Sequence, residues 1–346
     1  MKFLEEVPLA PYTTFKIGGP AQWFAEAASE ADLLEALEFI EERRLPLFVL
    51  GGGSNLLVSD AGFAGLVLRI GLKGIQHFLD GDRAAFRVAA GEIWDEFVSR
   101  TVAEICAGIE CLAGIPGTVG GTPVQNVGAY GQEVSQTIQG VRVLDLQSSK
   151  FVEMAGPECG FAYRQSLFNS TSRGRYIVTR VDYSLTPGGA PTLSYTDLRR
   201  HFQGAQQTPS LLQIAAAVRE IRRQKGMFLV DGDPDCASAG SFFKNPVVDW
   251  ASLSAIEAAL PAGTRVPQYP AGEGKVKLAA AWLVEQAGFA KGYGNGRAGI
   301  SSRHTLALVN RGGAKAADVL ALSGEIAARV AAKFRVRLEP EPVFLE

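Results

Sequence analysis

The chain has 346 residues, of which 47% are hydrophobic and 20% are charged, and its formal net charge is -2. This length is sufficient for two or three domains with separate cores. The small net charge argues against a nucleic-acid partner. No apolar run approaches the roughly 20 residues that span a bilayer, and the N-terminal segment lacks the features of a signal peptide. We therefore expect a cytoplasmic protein that binds neither nucleic acid nor a membrane.

The four cysteines and three histidines do not form a recognisable metal motif. Cys106, Cys111, Cys159 and Cys236 are scattered and contain no CxxC pair. We interpret all four as thiols in a reducing compartment and expect no metal site.

The first two regions of the chain contain both strands and helices. Ser29 and Asp32 are good N-terminal residues for a helix through about residue 44, and strands follow at 47–50 and 66–70. Region two contains predicted strands at 86–90, 141–146 and 176–185, with helices at 92–107 and from about 211 to 225. We predict that residues 1–70 and 71–224 form two α+β subdomains.

The third region begins at about residue 225. A helix at 277–287, a strand at 305–310 and a helix at 315–333 are predicted from the apolar spacing. We expect a C-terminal α+β domain at 225–335, followed by a strand-like tail at 336–346. The mixture of elements indicates an α+β protein.

A glycine loop follows the strand at 47–50. The run Gly51, Gly52, Gly53, Ser54 and Asn55 would allow backbone N–H groups to approach a phosphate closely. Leu56 stands where a dinucleotide fingerprint has its third glycine, so a Rossmann site is disfavoured. This loop alone leaves an ordinary tight turn equally open.

A second glycine-rich segment spans 108–131 and contains seven glycines. Its glycines alternate with valine and isoleucine, which is unusual for an exposed linker. The pattern indicates a buried or ligand-covered loop, although a turn cluster between two domains is the alternative.

The two glycine segments together resemble the MurB family of flavoenzymes. The shared motifs run in order along nearly the whole chain: TTFKIGGPA (13–21), GGGSN (51–55), IPGTVGGTPVQNVGAYG (115–131), FAYRQSLF (161–168), LSYTDL (193–198), AGSFFKNP (239–246), KLAAAWLVEQAG (277–288) and LEPE (338–341). The resemblance implies an FAD-binding domain of the PCMH type, built from two α+β subdomains, and a C-terminal α+β substrate-binding domain whose last strand returns to the active site. It also implies a monomer.

The resemblance implies a reductase of peptidoglycan precursor synthesis. NADPH would reduce FAD, and the flavin would reduce UDP-N-acetylglucosamine enolpyruvate to UDP-N-acetylmuramate. The cofactor-binding residues implied are Gly51, Gly52, Gly53, Ser54, Asn55, Ile115, Pro116, Gly117, Thr118, Gly120, Gly121, Asn126, Gly128, Ala129 and Tyr130.

Three residues match the family's catalytic positions. Ser241 corresponds to the proton donor, although a lone serine after glycine is more often a turn residue. Arg164 corresponds to the arginine that faces the substrate carboxylate, a task that suits a guanidinium fork; a surface ion pair is the alternative. Glu339 corresponds to a carboxyl group near the same carboxylate, and we expect burial and the anionic ligand to raise its pKa. The alternative for Glu339 is a solvated face.

Four further residues match substrate-binding positions. Tyr195 corresponds to a tyrosine near the nucleotide part, Lys225 and Asn245 to groups near the diphosphate, and Tyr163 to a residue beside Arg164. The stretch between Lys225 and Ser241 is longer than in the better-known members of the longer type of this family, so the chain departs from the family pattern beside Lys225. His304 is interpreted as a packed structural histidine, with a site role as the alternative.

Two other classes of protein compete with this interpretation. One is another FAD-dependent oxidoreductase of the same flavin fold, many of which attach FAD through a histidine; the early flavin loops here contain none. The other is a nucleotide-sugar sensor that has lost the reaction. Such a sensor is disfavoured because Ser241, Arg164 and Glu339 are all present.

Overall fold

The computed structural model describes residues 1–261 and 263–346; position 262, inside the predicted C-terminal domain, lies outside the described residues. Strands and helices are interspersed along the chain. The strands are β1 Leu4–Pro8, β2 Pro20–Ala27, β3 Leu47–Leu50, β4 Leu56–Val58, β5 Phe63–Ile70, β6 Ile75–Asp80, β7 Arg83–Ala89, β8 Cys106–Ala107, β9 Gly128–Ala129, β10 Gln132–Glu133, β11 Ile138–Asp145, β12 Lys150–Ala155, β13 Tyr176–Pro187, β14 Val247–Asp249, β15 Gln268–Pro270, β16 Lys275–Leu278, β17 Ala298–Ile300, β18 Leu308–Asn310 and β19 Val343–Leu345. The helices are α1 Glu30–Arg43, α2 Trp94–Ala103, α3 Thr196–His201, α4 Leu211–Gln224, α5 Trp250–Ala258, α6 Ala280–Gln286 and α7 Ala316–Phe334. The predicted α+β class is confirmed.

The chain divides into two compact units. The first comprises Met1–Val7, Pro20–Gly53 and Phe63–Gln224, and the second comprises Pro8–Gly19, Ser54–Gly62 and Lys225–Glu346. The proposed subdivision of the first unit at residue 70 stays a prediction.

Two sheets form the framework of the first unit. One has the order β1-β2-β5-β3, with β2 and β3 both parallel to β5. The other has the order β12-β11-β13-β7-β6, and β8 also pairs with β13. Its core contains fully buried Phe86, Trp94, Phe97 and Tyr183. One face of α2, including Trp94 at its N-terminus, therefore packs into this core.

The second unit contains smaller sheets and three helices longer than one turn in its described part. β14, β16 and β15 form one antiparallel sheet, and β17 pairs with β18. The last strand, β19, pairs in parallel with β4, so that the chain terminus joins the segment that follows the first glycine loop. Phe242 and Phe289 are completely buried in the core of this unit.

Most predicted elements are observed, and local chemistry explains their bounds. Ser29 caps α1 with a reciprocal pair of hydrogen bonds to Asp32, as its position predicted. The predicted helix at 92–107 is wrong at its end: α2 stops at Ala103, and Ile105 adopts the left-handed region with a φ of 55°. A helix does not continue through that conformation.

The predicted helix at 277–287 is also wrong at its start. Lys277 lies in β16, where Val276 and Leu278 are buried on alternate positions, and the helix begins only at Ala280. The period of two residues belongs to a strand and explains the difference. Among the described residues, no helix has the length and apolarity needed to cross a bilayer.

Candidate functional site

The two glycine segments of the first unit pack backbone against backbone. An added Cβ at Gly52 would lie 2.5 Å from Cα of Gly117, and one at Gly51 would lie 2.9 Å from Oγ1 of Thr118. Cβ atoms do not approach other atoms that closely, so only glycine permits this contact. The predicted residues Gly51, Gly52, Gly117 and Thr118 are therefore brought together.

The second glycine segment is hydrogen-bonded to the N-terminal end of α2 and to the residues just before it. The N–H of Trp94 donates to the carbonyl of Gly117 at 3.1 Å, and the N–H of Gly120 donates to the carbonyl of Ala90 at 2.8 Å. An added Cβ at Gly120 would lie 2.5 Å from Cβ of Ala90, whereas one at Gly121 would meet no atom within 4 Å. The loop is thus anchored on one side and open at Gly121. Ile115, Pro116 and Ala129 are half-buried on the same segment.

Three charged residues that sequence reasoning missed hold this loop at Gly114. Asp95 accepts a hydrogen bond from the N–H of Gly114 at 2.6 Å, and Arg222 donates its Nε–H to the carbonyl of Gly114 at 3.0 Å. Arg219 in turn forms an ion pair with Asp95, and its Nη2 donates to Oδ1 at 2.7 Å. Asp95 lies at the start of a helix and the arginines lie within another, positions where charged side chains commonly interact with the helix dipole or with solvent. No local pattern links residues so far apart in sequence.

Arg222 also connects the loop to Tyr130. The guanidinium is buried, and burial lowers its pKa; the Tyr130 hydroxyl and Asp95 oppose that shift. Burial likewise raises the pKa of the Tyr130 hydroxyl, against the effect of Arg222. The ring of Tyr130 meets the ring of Tyr195 edge to face, with centroids 5.3 Å apart. The predicted cofactor residue Tyr130 and the predicted substrate residue Tyr195 are therefore neighbours.

Tyr163 and Arg164 form the tip of a tight turn in the first unit. Ala162 and Gln165 exchange backbone hydrogen bonds of 2.9 and 3.1 Å beneath the tip. Arg164 has a φ of 54°, which is rare for a residue with a side chain. Its Nη2 donates to the carbonyl of Gly128 at 2.8 Å, and its guanidinium lies 5.5 Å from the ring centre of Tyr163. The turn therefore directs the guanidinium to the predicted flavin segment.

Asn126 supports that turn from below. It has a φ of 44° and is almost completely buried. Its Nδ2 donates to Oε2 of Glu133 at 2.9 Å and to the carbonyl of Ala162 at 3.1 Å. Both amide hydrogens are thus engaged within the protein, and the role of Asn126 as a cofactor ligand stays a prediction. Three of the predicted site residues other than glycine (Asn126, Tyr130 and Arg164) have positive φ, a form of strain that functional segments often carry.

In the second unit, Ser241 lies on a short segment paired on both sides. Ser241 forms a bridge with Ala307, and Phe243 forms one with Pro340. The N–H of Lys244 donates to the carbonyl of Glu339 at 2.9 Å. Ser241 and Glu339 therefore lie on adjacent strand segments of one unit, whereas Arg164 belongs to the other unit.

The side chain of Glu339 is not buried as expected. It is 69% exposed, and its Oε2 lies 3.9 Å from Nζ of Lys244. The expectation of burial is therefore wrong in this structure, because Glu339 sits on the outer side of the segment beside a lysine. What the structure provides at this position is a carboxylate next to a cation.

The remaining predicted residues have identifiable surroundings in the second unit. Oδ1 of Asn245 accepts the N–H of Ala280 at 2.9 Å and so caps α6. The carbonyl of Asn55 accepts the N–H of Val343 at 2.9 Å, and that of Ser54 accepts the Thr14 hydroxyl at 3.4 Å. Lys225 follows the last residue of α4 and is half-buried.

The long stretch between Lys225 and Ser241 is anchored by an acidic pair. Asp235 accepts hydrogen bonds from the N–H and the hydroxyl of Ser302, at 2.8 and 2.6 Å, and Asp233 accepts one from Arg303 at 2.7 Å. Burial alone would raise the pKa of Asp235, but these serine contacts and Arg303 lower it. Next to them, Nδ1 of His304 accepts the N–H of Leu306 at 3.1 Å, which agrees with a hydrogen-bonded structural histidine.

The glycine cradle fits a bound nucleotide cofactor. The two loops bring backbone together at distances that exclude side chains, and the outer face at Gly121 is open. Glycine backbone of this kind also allows an anionic phosphate to approach closely. The cradle follows a parallel strand without the helix of a dinucleotide fold, so the fold and site are those of a nucleotide-binding protein outside the Rossmann class.

Comparison with known proteins agrees with this class. Residues 21–155 match the family model described as "FAD binding domain", and residues 233–345 match "UDP-N-acetylenolpyruvoylglucosamine reductase, C-terminal domain". Both glycine loops lie within the first match. The match agrees with the predicted PCMH-type flavin fold and with FAD as the cofactor.

Individual relatives cover the chain from end to end. The protein named UDP-N-acetylenolpyruvoylglucosamine reductase from Thermobifida fusca (strain YX) is 46% identical over 99% of this chain and 98% of its own length. The one from Streptomyces coelicolor is 45% identical over 98% of this chain and 89% of its own length. The crystal structure of the Thermus caldophilus enzyme (MurB) covers 100% of this chain and 98% of its own, with 27% identity and a TM-score of 0.67. The chain belongs to the UDP-N-acetylenolpyruvoylglucosamine reductase (MurB) family.

Proposed function

We propose that this protein reduces UDP-N-acetylglucosamine enolpyruvate to UDP-N-acetylmuramate with NADPH, using FAD as its cofactor. The observation that carries the proposal is the family match along the whole chain, with relatives more than 40% identical over 98–99% of its length. The glycine cradle supplies a cofactor site that agrees with it.

The cofactor would be held in the first unit by backbone groups of the two loops. Gly51, Gly52, Gly117 and Gly120 allow the close approach, while Asp95 and Arg222 fix the second loop at Gly114. Bound there, FAD would supply the hydride-transfer chemistry between NADPH and the enolpyruvyl double bond. Because the loops are anchored before the cofactor arrives, little ordering has to accompany binding.

Arg164 would bind the carboxylate of the enolpyruvyl group. Hydride addition to the alkene develops negative charge next to that carboxylate, and a guanidinium fork can stabilise it through two parallel hydrogen bonds. The bond from Nη2 to the carbonyl of Gly128 and the tight turn hold the guanidinium in place. A preorganised cation of this kind has little reorganisation to undergo during the reaction.

Ser241 would donate the proton that completes the reduction. A serine hydroxyl is a poor acid, so it contributes only if it is held close to the carbon that receives the proton. The bridge to Ala307 and the bond from the N–H of Phe242 to the carbonyl of Leu306, 2.8 Å, fix the backbone on one side of the serine. We propose Glu339, on the neighbouring segment, as the carboxyl group near the substrate carboxylate.

Tyr163, Tyr195, Lys225 and Asn245 would bind the rest of the substrate, the first through its position beside Arg164.

We also propose that the protein is cytoplasmic, is a monomer and prefers NADPH to NADH. These three properties rest on the family resemblance alone. Gel-filtration mass and the ratio of kcat/KM for the two nicotinamides would test two of them.

A turnover assay tests the proposal as a whole. Purified protein is incubated with NADPH and UDP-N-acetylglucosamine enolpyruvate, and the product is analysed by mass spectrometry. The expected product carries two more hydrogens than the substrate, with one NADPH consumed per product. Consumption of NADPH without that product would contradict the proposed substrate.

A further inference from the structure

A buried carboxylate lies beneath the segment that carries Tyr195. Glu110 has no exposed surface. Its Oε1 accepts the N–H of Thr192 at 2.9 Å, and its Oε2 accepts the N–H of Gly108 at 2.8 Å. Each carboxylate oxygen therefore receives a backbone hydrogen bond, which is what a buried charge requires to be tolerated.

Gln132 and its neighbour Cys111 make a second set of contacts to Thr192. Oε1 of Gln132 accepts the N–H of Cys111 at 2.8 Å, and its Nε2 donates to Oγ1 of Thr192 at 3.1 Å. The thiol of Cys111 lies 3.4 Å from the carbonyl oxygen of Thr192. Thr192 is thus bonded at its N–H, its hydroxyl and its carbonyl, all from residues 110, 111 and 132.

These contacts fix Thr192, which lies in the irregular segment between β13 and α3. Tyr195 follows Thr192 by three residues and immediately precedes α3. An added Cβ at Gly131 would lie 2.1 Å from Oγ of Ser194, so the backbone of the glycine segment also approaches closely there. The ring of Tyr195 then meets Tyr130 with centroids 5.3 Å apart. The contacts to Thr192 therefore restrict the position of the Tyr195 ring.

We propose that Glu110 and Gln132 are positioning residues for Tyr195 and thereby set the affinity for the nucleotide end of the UDP-sugar substrate. The inference rests on the proposed function and adds to it two buried residues that act through Tyr195. An irregular segment without such contacts samples many conformations, and substrate binding would then have to order it at a cost in conformational entropy.

Glu110→Gln is the direct test. The amide keeps one carbonyl oxygen and turns an NH₂ group toward one of the two backbone N–H donors, so one bond is replaced by a donor facing a donor. We expect KM for the UDP-substrate to rise about tenfold, the loss of one charge-assisted hydrogen bond, with kcat changed little. Amide hydrogen exchange at Thr192 should accelerate in the same variant. The matched control is Glu158→Gln, which removes a carboxylate that accepts the N–H of Ala155 at 2.7 Å elsewhere in the first unit; its KM should not change.

A double-mutant cycle separates positioning from general stability. If Glu110 acts through Tyr195, Glu110→Gln should raise KM far less in a Tyr195→Ala background than in the wild type. Additive effects, or a fall in kcat with KM unchanged, would overturn the proposal. Should Glu110→Gln fail to fold, Thr192→Val removes the partner of Gln132 at a half-buried position and should raise KM in the same direction; an unchanged KM would overturn the proposal. Wild-type protein that does not reduce the substrate at all would instead refute the proposed function.

Discussion

Replacing Gly52 by alanine perturbs the contact between the two glycine loops with a single methyl group. The added Cβ would lie 2.5 Å from Cα of Gly117 and 2.9 Å from its carbonyl carbon. Backbone atoms cannot swing aside as the end of a long side chain can. The loops must therefore separate by about 0.9 Å to restore ordinary contact at 3.4 Å.

Overpacking of this kind costs about 1–3 kcal/mol. In the protein without cofactor the loops can relax apart, and FAD must then draw them together again. The expected result is FAD binding weakened by roughly 5- to 150-fold, since a factor of ten corresponds to about 1.4 kcal/mol. Titration of deflavinated protein with FAD, followed by flavin fluorescence, measures the change in Kd.

Two other glycine-to-alanine variants serve as comparisons. Gly324 lies within α7, where an added Cβ meets no atom within 4 Å, so Gly324→Ala should stabilise the protein by about 0.5–1 kcal/mol and leave FAD binding unchanged. Gly121→Ala also meets no protein atom within 4 Å. Any weaker FAD binding by that variant must arise from contact with the cofactor. A wild-type Kd for Gly52→Ala would refute the argument that loop contact builds the cradle.

Three further predictions address the chemistry and the stability of the fold. Ser241→Ala should leave flavin reduction by NADPH nearly unchanged and slow flavin reoxidation by the enolpyruvyl substrate by about 10²- to 10⁴-fold in stopped-flow traces; equal losses in both steps would remove Ser241 as the proton donor. Arg164→Lys should raise KM for the substrate and slow reoxidation because the two-point fork is lost, and an unchanged reoxidation step would exclude Arg164 from the site. Arg175 contacts both carboxylate oxygens of Asp145, at 3.1 and 2.9 Å, and lowers the pKa of that group from 3.8 to about 2. The stabilisation from the ionised Asp145–Arg175 pair is therefore complete above pH 3.8 and is lost as the pH falls toward 2. The difference in unfolding free energy between wild type and Asp145→Asn should shrink over that window. A constant difference would contradict the pairing.

The elements that were predicted well are those whose signal is local. Ser29 and Asp32 mark the start of α1 because a capping box needs only residues three apart. Composition left a tight turn equally open for Gly51–Gly53 and indicated a buried or ligand-covered loop at 108–131, and only the family resemblance joined the two loops in one site; the structure packs them against each other. Where the local signal was mixed, as at Ile105 and Lys277, the bounds were wrong by several residues.

The supports of the site were not predictable because they join distant parts of the chain. Asp95, Arg219 and Arg222 have ordinary helical surroundings in sequence, and only the fold brings them to Gly114. Glu110 lies in the glycine-rich segment, and no local pattern predicts its complete burial beneath Thr192. The exposure of Glu339 is different, because the local pattern had already offered a solvated face: Val336 and Leu338, at alternate positions, are buried, and Glu339 is exposed.

The central claim is that one flavoprotein carries out both half-reactions. Stopped-flow absorbance under anaerobic conditions tests it directly: NADPH is added to the purified protein first, and UDP-N-acetylglucosamine enolpyruvate is added second. The account predicts that the flavin absorbance is bleached by NADPH and recovers rapidly only after the enolpyruvyl substrate is added. Bleaching without recovery would contradict the proposed substrate, and protein that neither contains nor binds FAD would contradict the account at its first step.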